Sequence, residues 1–412
     1  MDAIELGRRL REAREKAGVQ QQAAGDAISI PRTAVSQIET GKRSVSTLEL
    51  TRLAALYGRS VSSLLNESIA QEEDDLVVAL LRADARLERN AGTRRHIERF
   101  KVLWETGAEL ERALGRTASG GPPSYGERVP RYGGEAVSQG ERIAEQERRR
   151  LSIGHAPIGD LTELIAKQGI WTASAELDLS ISGLFLSHRS IGLAILVNAG
   201  HARARNRFSY AHEYAHALMD RDRAVTVSST DNSSNLIETR ANAFAAAFLM
   251  PAEGVADLLQ SVDKGQSSRT EKSVFDAAGA SRIDAEIRPT PGSQRITYQD
   301  AAMIAHHFGV SYQAAVYRLK SLQHVSANHT DELLRHEGHG KDFLRALSLF
   351  DDLEGKPKAE VRERELISQI AYLAIEAYRR EEISRGRLLE IGKTLNIEGG
   401  RLLELGEAAK SN

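Results

Sequence analysis

The sequence predicts a mainly α protein with one small β-sheet, an α+β chain. Three observations carry this. Apolar residues recur at helical spacing over most of the 412 residues. Runs with the β-branched and apolar content of strands are confined to about 171–198. One stretch, RTASGGPPSYGERVPRYGGE (116–135), is rich in Gly, Pro and Ser and has no periodicity, so it separates two structured parts. The expected organisation is a five-helix module over 1–68 and a helical connector over 69–115. A flexible linker over 116–142, a mixed domain over 143–325 and a helical C-terminal region over 326–412 follow.

In the first module, Leu6, Leu10 and Ala13 mark one helix face, closed by Gly18. A second helix is expected from about Gln20 to Ile28. A third starts at Pro31, carries Val35, Ile38 and Glu39, and ends at Gly41. A fourth runs over Leu48, Leu50, Leu53, Ala54 and Leu56, and a short fifth holds Leu64 and Leu65. Two short helices joined by a few residues form a helix-turn-helix. The strings SQIETGKR, LELTRLAALYG and SSLL resemble the Cro/C1-type (XRE) helix-turn-helix family over nearly all of 1–66. Ser29 stands where that family usually has its turn glycine, and Ala24 where it prefers a larger core residue. In such a module the second helix of the pair enters the major groove of double-stranded operator DNA. Here that helix would present Arg32, Thr33, Ser36 and Gln37 to base edges. Gln21, Lys42 and Arg43 are placed for phosphates. Modules of this kind read paired half-sites, so a homodimer is expected.

The connector begins with the acidic run EEDD, which suits a helix N-terminus, and continues through Leu76, Val77, Leu80 and Leu81 to Leu103, Leu110 and Leu114. Its heptads are broken, so packing against a neighbour is as well supported as a coiled coil. The cluster Arg148, Arg149, Arg150 reads as a solvated helix face. Trp171–Ala175, Gly183–Ser187 and Ile191–Asn198 read as the small sheet.

Phe208 to Met219, FSYAHEYAHALM, is an apolar helix without Pro or Gly. His212 and His216 sit four apart on one face, the spacing at which two imidazoles bind one Zn²⁺. Glu213 follows the first histidine and is free to act as a base; H-E-x-x-H is the metalloprotease signature. A second apolar helix, ETRANAFAAAFLM, begins at Glu238, 22 residues after His216. Glu238 can complete a His₂Glu site with an open fourth position. Asn242, one turn on, can hold a ligand histidine by its other ring nitrogen. Buried His, Glu and Asn each need a partner, which a core alone does not supply.

These pieces, Arg205, Arg207, Phe208, Ser209, Ala211 to His216 and Glu238 to Pro251, resemble the ImmA/IrrE family of zinc metallopeptidases over roughly 143–325. The resemblance implies a zincin-like domain with ligands His212, His216 and Glu238 and general base Glu213. It also implies a protein substrate, often a helix-turn-helix repressor of a stress response or mobile element. Tyr214 and Arg205 are the candidates for stabilising the oxyanion. The loop 226–235 is expected to be polar and to cover the cleft, and 262–290 to be a charged connection. His306 and His307 point about 100° apart and are expected at surface or core. His324, His329, His336 and His339 are too scattered for a site. The last helices, LISQIAYLAIEAYRREEISRGRLLEIGKTLNI, have a broad apolar face expected to serve docking or dimerisation.

Composition limits the alternatives. The net charge is −2 with 27% charged residues, which argues against a globally basic nucleic-acid coat but leaves a local patch open. With no cysteine, neither a disulfide nor a thiol nucleophile is possible. The charged start is not expected to be a signal peptide, and no apolar run reaches membrane-spanning length, so a cytoplasmic protein is expected. Two other readings stay open. One is a transcription regulator whose peptidase-like domain senses a ligand or holds a partner. The other is an antitoxin-like binding protein needing neither zinc nor DNA.

Overall fold

The computed structural model describes residues 3–17, 19–57, 61–65, 91–116, 121–223, 225–229, 235–264, 270–276, 281–287, 290, 292–356 and 359–411. The first five helices are α1 (Ala3–Lys16), α2 (Gln21–Ile28), α3 (Arg32–Glu39), α4 (Thr47–Leu56) and α5 (Val61–Leu65). They close on their own core of Leu10, Ala24, Val35, Ile38, Leu53 and neighbours. This matches the five helices expected. The early part of the connector, Leu76 to Leu81, lies outside the described residues.

The remainder is built around a four-stranded sheet: β1 (Ile170–Ala175), β2 (Ile181–His188), β3 (Gly192–Asn198) and β4 (Val225–Ser229). Its order is β1-β3-β2-β4. Only β1 and β3 are parallel. Side chains alternate along a strand, so each strand feeds both faces. Ile170, Phe185, Ile195 and Val197 enter one core. Trp171, Ala173, Leu186, Ala194 and Leu196 enter another.

The first face is covered by α7 (Gly133–Arg150), α8 (Leu161–Ala166), α9 (Arg203–Met219) and α10 (Leu236–Leu249). Behind these lie α11 (Ala252–Ser261), α12 (Tyr298–Phe308), α13 (Tyr312–Ser321), α14 (Ala327–Arg335), α15 (Glu337–Ala346) and α16 (Phe350–Glu354). The second face is covered by α6 (Ala91–Ala113) and by α17 (Ala359–Arg379), α18 (Arg385–Thr394) and α19 (Gly399–Ser411). The broad apolar face of the last helices is therefore spent on Trp104, Trp171 and the sheet. The connector and the C-terminal region close one layer of the same α/β/α unit.

Four other segments differ from expectation. Val225–Ser229, expected as loop, pairs with β2 because Val225 and Val227 give it the alternation of a strand. Thr270–Asp276 and Ser281–Ile287 form an antiparallel hairpin, β5 and β6, within the expected connection. The expected linker contains the start of α7, and residues 121–132 run extended along the domain. There Tyr125 N–H donates to Leu218 O at 2.8 Å and Gln139 Nε2 to Arg128 O at 3.2 Å. Arg148 is buried rather than solvated, donating to Gly154 O at 2.8 Å and to the Phe248 and Ala156 carbonyls.

Candidate metal centre and nucleic-acid interface

Helices α9 and α10 bring the polar residues together. α10 is held against α7 at backbone distance: a Cβ on Gly140 would lie 2.4 Å from Arg240 O and 2.7 Å from Phe244 N. Asn235 caps α10 by accepting from Ile237 N–H at 2.9 Å, which fixes the first turn where Glu238 sits. His212 Nε2 is 3.2 Å from His216 Nε2 and 3.1 Å from Glu238 Oε2. His216 Nε2 is 3.6 Å from Glu238 Oε1. Among the described residues, these three are the one group of His, Asp or Glu whose donor atoms all converge, within 4.8 Å of each other.

The other ring nitrogens explain why. His212 Nδ1 lies 2.9 Å from Asn242 Oδ1, and His216 Nδ1 lies 2.9 Å from Asp220 Oδ2. Both partners are acceptors, so both Nδ1 atoms carry the proton and both Nε2 atoms turn a lone pair inward. Two lone pairs and a carboxylate facing one point repel each other unless a cation or a proton sits among them. The donor set therefore fits a divalent metal that favours nitrogen and oxygen ligands. Without a metal the same logic acts on protons. Burial opposes it, but the Glu238 hydrogen bond and the Glu213 charge raise the His212 pKa. Burial likewise works against Glu238, yet its bond to His212 and the histidine charges hold its pKa down.

Glu213 is fully buried and, among the described residues, neither of its oxygens has a hydrogen-bond partner. Burial pushes its pKa up, against the pull of His212 and His216. Gly183, at the bulge of β2, makes room for it: a Cβ there would lie 2.7 Å from Glu213 Oε1. Sequence reasoning missed Asp220. It follows His216 at i+4 on the same helix, and that spacing is the signal that could have found it. Its other oxygen accepts from Arg240 Nη2 at 2.6 Å, and Arg240 is only 1% exposed. Tyr214 is turned away from the centre, its hydroxyl donated to Glu147. Arg205 is exposed, with Nη2 3.4 Å from Ser182 Oγ. His306 pairs with Asp352 at 3.1 Å and takes no part in the cluster.

In the N-terminal module, Arg32, Thr33, Gln37 and Lys42 are exposed and Ser36 is half-buried. Two expected phosphate contacts are otherwise engaged. Gln21 Nε2 donates to Glu39 Oε2 at 2.8 Å, and Arg43 pairs with Glu49 at 2.7 Å. Glu39 is buried and also takes Arg14 Nε at 2.6 Å, so Gln21 braces the packing of α2 on α3. Ser29 adopts the left-handed backbone, φ 59°, that its place in the turn requires.

A helix-turn-helix module joined to a buried His-Glu-x-x-His centre on an α/β/α unit defines a DNA-binding-type protein with a metallohydrolase-like domain. Residues 5–64 match the family model of a helix-turn-helix domain. Residues 165–320 match the peptidase M78 model, an IrrE N-terminal-like domain. The chain is therefore a helix-turn-helix domain fused to an ImmA/IrrE-type domain, a DNA-binding regulator with a peptidase-like domain. No curated protein matches it. Among the described residues, no helix is long and apolar enough to cross a membrane.

Proposed function

We propose that the chain is a transcriptional regulator whose second domain is a zinc-dependent endopeptidase acting on a repressor or another partner protein. The observation that supports this most is the convergence of His212, His216 and Glu238 beside a buried Glu213 that has no hydrogen-bond partner among the described residues. His212, His216 and Glu238 would hold the zinc, with Asn242 and Asp220 fixing the two rings. A bound zinc supplies Lewis acidity and lowers the pKa of water. Glu213, held in a dry site, takes the proton of an attacking water and passes it to the departing amine nitrogen. Its raised pKa favours the first transfer, in which the carboxylate must take the proton up. In the first domain, α3 reads base edges through Arg32, Thr33, Ser36 and Gln37, with Lys42 on a phosphate, as a homodimer on paired half-sites.

Glu213→Gln is the test. It keeps all three ligands and their partners, so stoichiometric zinc is expected to remain. Cleavage of proteins encoded beside this one is expected to fall by about 10³-fold or more. Undiminished cleavage by that variant would sink the mechanism.

A second reading has its own support. His212 and Glu238 are each 6% exposed, and His216 and Glu213 are fully buried. So closed a centre also suits a domain that binds metal to hold or sense a partner without cutting it. Zinc content does not separate the two readings; turnover of a partner protein does.

A further inference from the structure

A cleft lies apart from the proposed metal centre. It has a volume of about 570 Å³ and opens between α8, the first two turns of α9, Asp352 of α16, Lys356 just beyond it, and the first two turns of α17. That is the size of sites that take small molecules. Its charges are unevenly partnered. Each carboxylate on its wall is satisfied. Asp160 caps α8 through Glu163 N–H at 2.9 Å and meets Arg362 at 3.5 Å. Glu365 also pairs with Arg362, and Asp352 pairs with His306.

The cations are not matched in the same way. Arg203 and Lys356 are exposed on the cleft wall, and neither has a carboxylate partner among the described residues. Among the described residues, Arg207 donates its guanidinium to the carbonyls of Ile158 and Gly159 and to no carboxylate. Arg203 and Lys356 thus face the cleft with no carboxylate bonded to either among the described residues, while Asp160 acts on Arg207 through space. Asn206, buried in the same wall, donates Nδ2 to Asn198 O at 3.1 Å, while its Oδ1 has no partner among the described residues. That oxygen can accept only from a donor, such as a hydroxyl or an amine.

We propose that this cleft binds a small metabolite bearing an oxyanion, phosphate or carboxylate, together with a hydrogen-bond donor. Arg203 and Lys356 would clamp the oxyanion by charge-assisted hydrogen bonds, and Asn206 would take the donor. Arg203, Asn206, Arg207 and Tyr210 lie at i, i+3, i+4 and i+7 of the helix that carries His212 and His216 two turns on. A ligand here braces the start of that helix. The site stands apart from the proposed peptidase chemistry and does not depend on it.

The full chain would be titrated with inorganic phosphate and with citrate, by calorimetry and by thermal shift. Saturable binding of at least one probe below about 10 mM is expected. The double variant Arg203→Ala/Lys356→Ala should weaken it by about tenfold or more. Both residues are exposed, so this variant should melt with wild type when no anion is present. Arg203→Lys/Lys356→Arg, which keeps both charges, should retain most of the affinity. Arg149→Ala, an exposed cation outside the cleft, should leave binding unchanged. Phosphate binding without citrate binding would identify a phosphate ester, and the reverse a carboxylate. No saturable binding of either probe would overturn the proposal. So would binding that survives the double alanine variant, or that Arg149→Ala weakens equally.

Discussion

Asp220 can loosen the proposed metal centre without removing a ligand. Its two oxygens bind His216 Nδ1 at 2.9 Å and Arg240 Nη2 at 2.6 Å. Removing the carboxylate frees the imidazole to turn or change tautomer, and strands the guanidinium of a residue only 1% exposed. Outer partners of a metal-bound histidine typically contribute 10–100-fold in metal affinity. Leaving a buried charge unpaired costs about 3 kcal/mol or more. Asp220→Ala is therefore expected to weaken zinc binding by about 10–100-fold in a chelator competition. It should also lower the urea midpoint in zinc-free buffer, where the Arg240 loss acts alone. Asp220→Asn keeps an acceptor oxygen for one partner, so its losses should be smaller in both measurements. Equal zinc affinity for wild type and the alanine variant would remove Asp220 from the centre. The proposed ligands stood out in the sequence because they interrupt apolar helical faces, where a polar residue needs a reason. Asp220 was not, because it stands at the end of α9, where a helix-terminating aspartate looks ordinary.

Among elements, a buried carboxylate ties α7 to the back of α9. Glu147 of α7 is fully buried and accepts from Tyr214 of α9 and from Tyr125, at 2.8 Å, in the strap before α7. Arg150 pairs with it at 2.6 Å. Burial alone would raise the Glu147 pKa. Its bonds to Arg150, Tyr214 and Tyr125 outweigh that and hold it below the ordinary carboxylate value of 4.5. A group whose pKa is lower folded than unfolded stabilises the fold above its unfolded pKa. That stability is lost as pH falls through its folded pKa. Glu147→Gln should therefore be less stable than wild type at neutral pH. The gap should stay constant down to about pH 4.5 and shrink below it. Chemical denaturation of both proteins across pH 3–7 reads this, and a gap that widens on acidification would contradict it. This element also marks where sequence reading stopped. The start of α7, GGEAVSQG, looks like a loop because three glycines and a serine hide its periodicity. Yet Gly140 is what lets α7 touch the backbone of α10. β4 was missed for a related reason: VTVSS is five residues long and half polar. It becomes a strand only because β2 offers it an edge. Such partners exist in three dimensions and leave no mark on local pattern.

For the whole molecule, the question is how much chain the proposed metal-binding unit needs. The family match ends at residue 320. The sheet it contains is apolar on both faces, however, and its second face is closed by α6 from before the match and by α17, α18 and α19 from beyond it. Trp171, Leu184, Leu186, Leu196 and Val227 lie under those helices, buried with Trp104, Ile370, Leu373 and Leu388. A chain ending at Lys356 keeps every proposed metal ligand and every partner of those ligands. It would nevertheless strip α17, α18 and α19 from the second face of the sheet and leave α6 alone over it, and a large apolar patch of that kind drives association. The five N-terminal helices have a core of their own and lose nothing by the cut. The truncated chain is therefore expected to bind zinc far more weakly than the full chain and to aggregate. Limited proteolysis should release an intact N-terminal module from it while the rest is degraded. If it instead stays monodisperse and holds zinc as the full chain does, the C-terminal helices are an appendage. They would then be free for docking or dimerisation, as the sequence alone suggested. Burial favours the other outcome: Leu388 is fully covered and Leu373 nearly so, which an appendage used only for transient contacts has no reason to achieve.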